Sequence, residues 1–194
     1  METLRDLARG WVCANNPAQA RHLLQAEQWV QRLKPDASEE VLLAALTHDM
    51  ERAFPGPDSP IQDPQRGADD PMYLQAHSDR SARFVRDYLQ AQGATLESIE
   101  QISRLIRAHE VGGEEDENLV QAADSLSFLE VNVDLFLGWL KHGDSRWTRE
   151  AIHAKLTWMY ERIQLEQARQ LARPLYEEAL RKLEHTEDPG GVSE

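Results

Sequence analysis

Apolar residues along this chain recur at intervals of three and four and nowhere alternate with a period of two for long. That pattern predicts an all-helical protein. A first helix is predicted over about residues 2–13. Asn16-Pro17 joins a capping residue to a proline at a first helical position and opens a second helix, which Lys34-Pro35 ends after about Leu33. Asp36-Ala37-Ser38-Glu39 resembles a capping box and starts a third, reaching about Ala53. Asp70-Pro71 caps a fourth, which runs to about Gln92 and stops at Gly93. Thr95 caps a fifth, to about Glu110, and an acidic turn from Val111 to Asp116 leads to a sixth over about 117–141. A seventh begins near Ser145 and reaches about Glu184, with Pro174 placed to kink or break it.

Two stretches depart from this pattern. Phe54 to Asp70 is rich in Pro, Gly and Asp, too polar to pack and too long for a simple connector. It reads as a lid over whatever lies at its two ends, or as disorder. The polar end of the chain, residues 186–194, reads as a flexible tail. With no internal repeat, the expected organisation is one helical domain over 1–185 followed by that tail.

Composition narrows the partners. The chain has 194 residues and a formal net charge of −13. Nucleic acid polymers held through their phosphates need clustered Lys and Arg, so none is expected. A small phosphorylated substrate stays open, because a divalent cation supplies local positive charge whatever the overall balance. No apolar run approaches the roughly 20 residues of a membrane span, and the start Met1-Glu2-Thr3-Leu4-Arg5-Asp6 lacks the features of a signal peptide. A soluble, cytoplasmic protein without membrane association is expected. The one cysteine, Cys13, excludes an intrachain disulfide and is expected as a buried thiol rather than a reactive one.

The candidate chemistry starts at His48-Asp49, which closes the apolar run Val41 to Leu46. A desolvated carboxylate beside an imidazole costs several kcal/mol unless something pairs with it. More donors occupy inward-facing helical positions. His22 lies beside Ala26 and Trp29; His77 is in a stripe with Tyr73, Leu74, Ser81, Phe84 and Tyr88; His109 follows Ile102, Leu105 and Ile106; Asp124 stands between Val120 and Phe128. A lone histidine on an apolar face is ordinarily a hydrogen-bonded core residue. Six N or O donors from five successive helices form a constellation. His142, His153 and His185 have no such setting and are assigned no role.

The order His22, His48-Asp49, His77, His109, Asp124 resembles the HD-domain superfamily of metal-dependent phosphohydrolases, in the six-ligand form of members with a two-metal centre. The separation 48 − 22 = 26 residues fits, and the resemblance covers about residues 15 to 141. It implies an HD-domain-like helical bundle, with an added N-terminal helix and long C-terminal helices. It also implies a metal site built from His22, His48, Asp49, His77, His109 and Asp124. Mixed imidazole and carboxylate ligands suit Fe, Mn, Co, Ni or Zn, one ion or two, with Asp49 as the bridging carboxylate.

The function so implied is hydrolysis of a nucleotide or other small phosphoester through metal-activated water. Arg80 and Arg52, each one turn from a ligand, are the candidates to hold the phosphate. Glu51 and Glu110 flank ligands and either orient imidazoles or simply face water. Two other readings share the ligands: a di-iron oxygenase of HD type, and a non-catalytic metal-binding helical module. The apolar stripe Ile152, Leu156, Met159, Ile163 and Leu171, with Trp147 and Trp158, either completes the core or forms a homodimer face.

Overall fold

A computed structural model describes residues 2–63, 66–144 and 146–187. Nine α-helices and no strand occur among the described residues: α1 Leu4–Asn15, α2 Ala20–Leu33, α3 Glu39–Thr47, α4 Pro71–Ala91, α5 Leu96–Ala108, α6 Glu115–Val131, α7 Val133–Lys141, α8 Arg149–Glu161 and α9 Glu166–Glu184. The fold is an all-helical bundle. Buried apolar side chains from all nine helices form one contiguous cluster.

α3, α4 and α5 open on the caps the sequence advertises. Ser38 Oγ accepts from the Val41 amide, Asp70 from Met72 with Pro71 in the first turn, and Thr95 from Ser98. Each satisfies one amide that the first helical turn leaves without a partner. α4 stops before Gly93, whose φ of 80° is the left-handed conformation glycine adopts without strain. In the acidic turn, Gly112 is also at positive φ, and a Cβ there would collide with the Asn118 side chain.

α6 occupies the centre. It packs against α2, α3, α5, α8 and α9, and its buried residues run without a gap from Leu119 to Leu129. A helix enclosed on all sides has no solvent face for polar side chains. Its buried polar residues Gln121, Asp124, Ser125 and Ser127 therefore have to find partners inside the protein.

Several expectations are corrected. The second helix starts at Ala20 rather than at Pro17. The third ends at Thr47, with a separate 3₁₀ turn over Met50–Ala53. The sixth is two helices meeting at Asn132, which lets α7 turn and bury Val133, Phe136, Leu137 and Leu140. The seventh is also two, α8 and α9, and its expected start at Ser145 lies outside the described residues. Thr148 caps α8. The break comes at Arg162–Leu165, where Ile163 enters the core and Arg169 donates to the carbonyls of Glu161 and Ile163. Pro174, expected to kink or break the helix, lies inside α9 and does not end it. A proline removes one amide donor, and the surrounding turns of α9 and their packing on α6 and α8 tolerate that loss.

Cys13, expected to be buried, is exposed. Ala8 and Val12 are the inward residues of α1, and Cys13 sits about 100° further round the helix. The stripe Ile152, Leu156, Met159 and Ile163 is buried in the core, whereas Leu171 is exposed. Of the expected tail, Thr186 is buried with its hydroxyl donating to the Lys182 carbonyl at 2.7 Å; residues 188–194 lie outside the described residues. No described helix is long and apolar enough to cross a membrane.

Candidate metal centre

The six sequence-selected donors come together. α2 carries His22, the end of α3 carries His48 and Asp49, α4 carries His77, the end of α5 carries His109 and α6 carries Asp124. All six are buried. The imidazole centroids step across the site at 5.3 Å from His22 to His48, 4.9 Å from His48 to His109 and 5.5 Å from His109 to His77. Ligand atoms within 4.8 Å of one another occur in three overlapping groups: His22, His48 and Asp124; His48, Asp49 and His109; and His77, His109 and Glu110.

The early end of α3 makes this possible. Consecutive residues of an intact helix point about 100° apart, so His48 and Asp49 could not both face one centre from the middle of a helix. His48 closes α3 in helical conformation and Asp49 leaves it at φ −103° and ψ 16°. His109 closes α5 in the same way, with Glu110 following it. The negative ends of two helix dipoles thus lie at the site, where they favour a cation.

The other ring nitrogen of each histidine is taken. His48 Nδ1 donates to the Ala45 carbonyl at 2.8 Å and His109 Nδ1 to the Ile106 carbonyl at 2.6 Å. His77 Nδ1 donates to Glu51 Oε1 at 3.0 Å. Ser127 gives its hydroxyl proton to the His22 carbonyl at 2.7 Å, so its oxygen accepts from His22 Nδ1 at 2.9 Å. In the neutral imidazole, occupying Nδ1–H this way leaves a lone pair on Nε2. All four Nε2 atoms face the centre. Those of His48 and His109 are buried with no hydrogen-bond partner. His22 Nε2 lies 3.1 Å from Asp124 Oδ1 and His77 Nε2 2.8 Å from Asp49 Oδ1. These are pairs of acceptors, which require a shared cation, whether a proton or a metal ion. His48 Nε2 lies 3.3 Å from Asp124 Oδ1, near enough for attraction but without hydrogen-bond alignment.

The electrostatics express the same demand. Burial works against a proton on His48, but Asp124 and then Asp49 outweigh it and hold its pKa up at about 9. Burial and Arg52 also oppose protonation of His77, and Asp49 and Glu51 again overcome them and raise it. Burial drives His109 down to about 4 despite the neighbouring Glu110. Burial would raise the carboxylates. Arg52 and His77 instead keep Asp49 well below its ordinary value, and Arg162 and His48 do so for Asp124.

The structure divides the arginines. Arg52 Nε donates to Asp49 Oδ2 at 2.9 Å and its Nη1 to the Tyr73 hydroxyl at 3.4 Å, beside the donors. Arg80, an expected phosphate ligand, is enclosed elsewhere. It donates to Glu51 Oε2 at 2.8 Å, to the Glu51 and Phe54 carbonyls at 2.9 and 2.7 Å and to Asp58 at 3.1 Å. It fixes Glu51, which in turn orients His77. Two residues went unread in the sequence as parts of the site. Arg162 pairs with both Asp124 and Glu110 and donates to Ser125 Oγ at 2.8 Å. Lys155 on α8 lines the cavity beside them, and burial pushes its ammonium down to about 8 against the pull of Glu110 and Asp124. Glu110 repeats the His-acid pattern of His48-Asp49 at a helix end, a signal present in the sequence. Arg162 and Lys155 carry no such mark.

A cavity of about 130 Å³ opens on the donors, lined by His22, Asp49, Asp124, Glu110, Arg52 and Lys155 among others. It shares Arg52, Gln62, Ala68, Tyr73, Trp139 and Trp147 with an outer groove of about 650 Å³. Gln62 and Ala68 belong to the connection from Phe54 to Asp70, so that segment walls the cavity; Pro64 and Gln65 within it lie outside the described residues.

A family model described as a domain of unknown function (DUF4202) matches residues 9–182. No curated protein and no solved structure matches the chain.

Proposed function

For a chain that belongs to the DUF4202 family, we propose the activity of a metal-dependent phosphohydrolase of the HD type, acting on a nucleotide or other small phosphoester. The observation that carries this reading is the set of four imidazoles whose Nδ1 atoms are spoken for and whose Nε2 atoms converge with Asp49 and Asp124. Two of those Nε2 atoms are buried without a partner. That donor set fits a divalent transition metal, one ion or two, among Fe, Mn, Co, Ni and Zn.

His22, His48 and Asp124 would hold one ion. His77 and His109, with Glu110 beside them, would hold a second. Asp49 borders both groups and is the carboxylate placed to serve both. When bound, such ions make water a nucleophile near neutral pH and take up charge on a phosphoryl oxygen.

The chain supplies the rest. Arg52 has a guanidinium on the cavity wall, already aligned by Asp49 and Tyr73, to draw in and orient a phosphoryl group. Glu51 and Ser127 keep the His77 and His22 rings turned so that their Nε2 atoms face inward. Arg162 holds Asp124 and Glu110 ionised. The organic part of the ester has room in the outer groove, against the stacked pair Trp139 and Trp147.

The test is elemental analysis of the purified protein followed by a panel of nucleotides and general phosphoesters. Bound transition metal and metal-dependent phosphate release are expected. A coloured, oxygen-reactive di-iron protein that releases no phosphate would point to oxygenase chemistry, and a metal-free, inert protein to a non-catalytic module.

A further inference from the structure

Among the described basic side chains around the donors, Lys155 stands apart in having no ion-pair partner. Arg52 pairs with Asp49, Arg80 with Glu51 and Asp58, and Arg162 with Asp124 and Glu110. Among the described residues no carboxylate lies within ion-pairing distance of Lys155 Nζ, although Asp49, Glu110 and Asp124 line the same cavity.

What holds it is aromatic. Its Nζ lies 4.3 Å from the centre of the Trp158 ring and 5.5 Å from that of Phe128. Ring faces stabilise an ammonium without consuming its N–H donors. A lysine has three donors and no acceptor. One turn of α8 on either side, Ile152 and Met159 enter the core, so the helix fixes where the Lys155 stem starts. Half-buried at the cavity wall, the side chain keeps its N–H groups available for something that enters.

We propose that Lys155 is an anion-binding residue of this cavity, holding a phosphoryl group of the substrate together with Arg52. The assignment rests on the phosphohydrolase reading for the identity of the anion. It adds a residue from α8, a helix outside the stretch that carries the ligand pattern. Arg52 offers a planar fork that an acid already orients; Lys155 offers an unshared point charge, which suits a phosphoryl oxygen whose position changes during reaction.

The test uses the metal-loaded, full-length protein and inorganic phosphate, with binding followed by calorimetry so that no turnover is needed. Lys155→Met keeps the stem on its aromatic bed and removes the charge; Lys155→Arg keeps the charge. K155M should bind phosphate about tenfold or more weakly, with metal content and melting temperature unchanged, and K155R should recover most of the loss. Wild-type affinity in K155M would overturn the proposal. So would loss of metal or of melting temperature in K155M, which would make Lys155 a counter-charge to the acid cluster. Failure of the wild-type protein to bind phosphate would overturn it too. If phosphate binds through Lys155 but no phosphoester is hydrolysed, the hydrolase reading falls and the anion site stands.

Discussion

Glu51 accepts the Nδ1–H of His77 at 3.0 Å, across 26 residues of sequence. Its other carboxylate oxygen accepts from Arg80 at 2.8 Å, and its backbone amide donates to Ser81 Oγ at 3.1 Å. The 3₁₀ turn after Asp49 is thereby tied to α4, and the His77 ring is turned so that its Nε2 meets Asp49. A residue outside the converging donors thus sets the orientation of one of them.

Glu51→Gln keeps an acceptor for His77 but loses the charge. Such outer partners of metal-bound histidines typically account for about 10–100-fold in metal affinity. Metal titration of E51Q should show the ion on the His77 side weakened by about tenfold, with the ion on the His22 side little changed.

His48 borders two of the three donor groups and His77 only one. His48→Ala should therefore abolish tight metal binding and activity together, and also the gain in thermal stability that metal gives, since metal binding to the folded chain is folding free energy. His77→Ala should keep one ion. Metal-to-protein ratios from elemental analysis decide this; a full metal complement in H48A would overturn the assignment of the site.

Arg162→Met leaves Asp124 and Glu110 buried without their guanidinium partner. Breaking a buried pair by removing one member costs about 3–5 kcal/mol. Urea unfolding of the chelated variant should show a loss of that order. Arg162→Lys should restore only part of it, because an ammonium cannot bridge both carboxylates in the same plane.

In chelator-treated protein, stability should fall as pH drops below about 6.5 and as it rises from 6.5 to about 8; above that, Lys155, held down at about 8 against its ordinary 10.5 by burial, sheds its proton and offsets the His48 loss. The folded pKa of His48, about 9, lies above its ordinary 6.5. Its contribution is complete below pH 6.5 and lost as pH rises through 9. His109 is held down at about 4, so its cost appears as pH falls from 6.5 to 4. Glu110, held at about 2 against its ordinary 4.5 by Arg162 in spite of burial, loses its contribution as pH falls from 4.5 toward 2. Denaturation midpoints across pH 3–10 check this. Saturating metal should remove the alkaline loss, because an ion replaces the proton between imidazole and carboxylate.

The connection from Phe54 to Asp70 walls the cavity through Gln62 and Ala68, and Asp58 anchors it to Arg80 and Arg83. Limited proteolysis should cut this stretch more slowly when metal and phosphate are present. Asp58→Asn should accelerate cutting in both states. Cleavage indifferent to ligand would remove the lid reading.

The sequence by itself determined the helical class and the starts of α3, α4 and α5, because these depend on local chemistry. Ser38, Asp70-Pro71 and Thr95 each satisfy an amide within three residues of themselves. It also marked the six donors, because burying imidazoles and carboxylates on apolar helix faces is costly and shows against its surroundings. Glu51 and Glu110 were legible as flanking acids, though not their partners.

Only the tertiary structure decided the rest. No proline or glycine signals the breaks at Asn132 and Ile163; they arise where the chain turns to bury Phe136 and Ile163 against other helices. Arg80 and Arg52 look alike in sequence, each one turn from one of the six donors, yet one is enclosed by Glu51 and Asp58 and the other lines the cavity. Arg162 meets Asp124 across 38 residues, and Lys155 shares a cavity with His22. Local propensity and periodicity act over one or two turns of chain. Which charge finds which partner depends on how distant helices pack, and a linear pattern does not encode that distance.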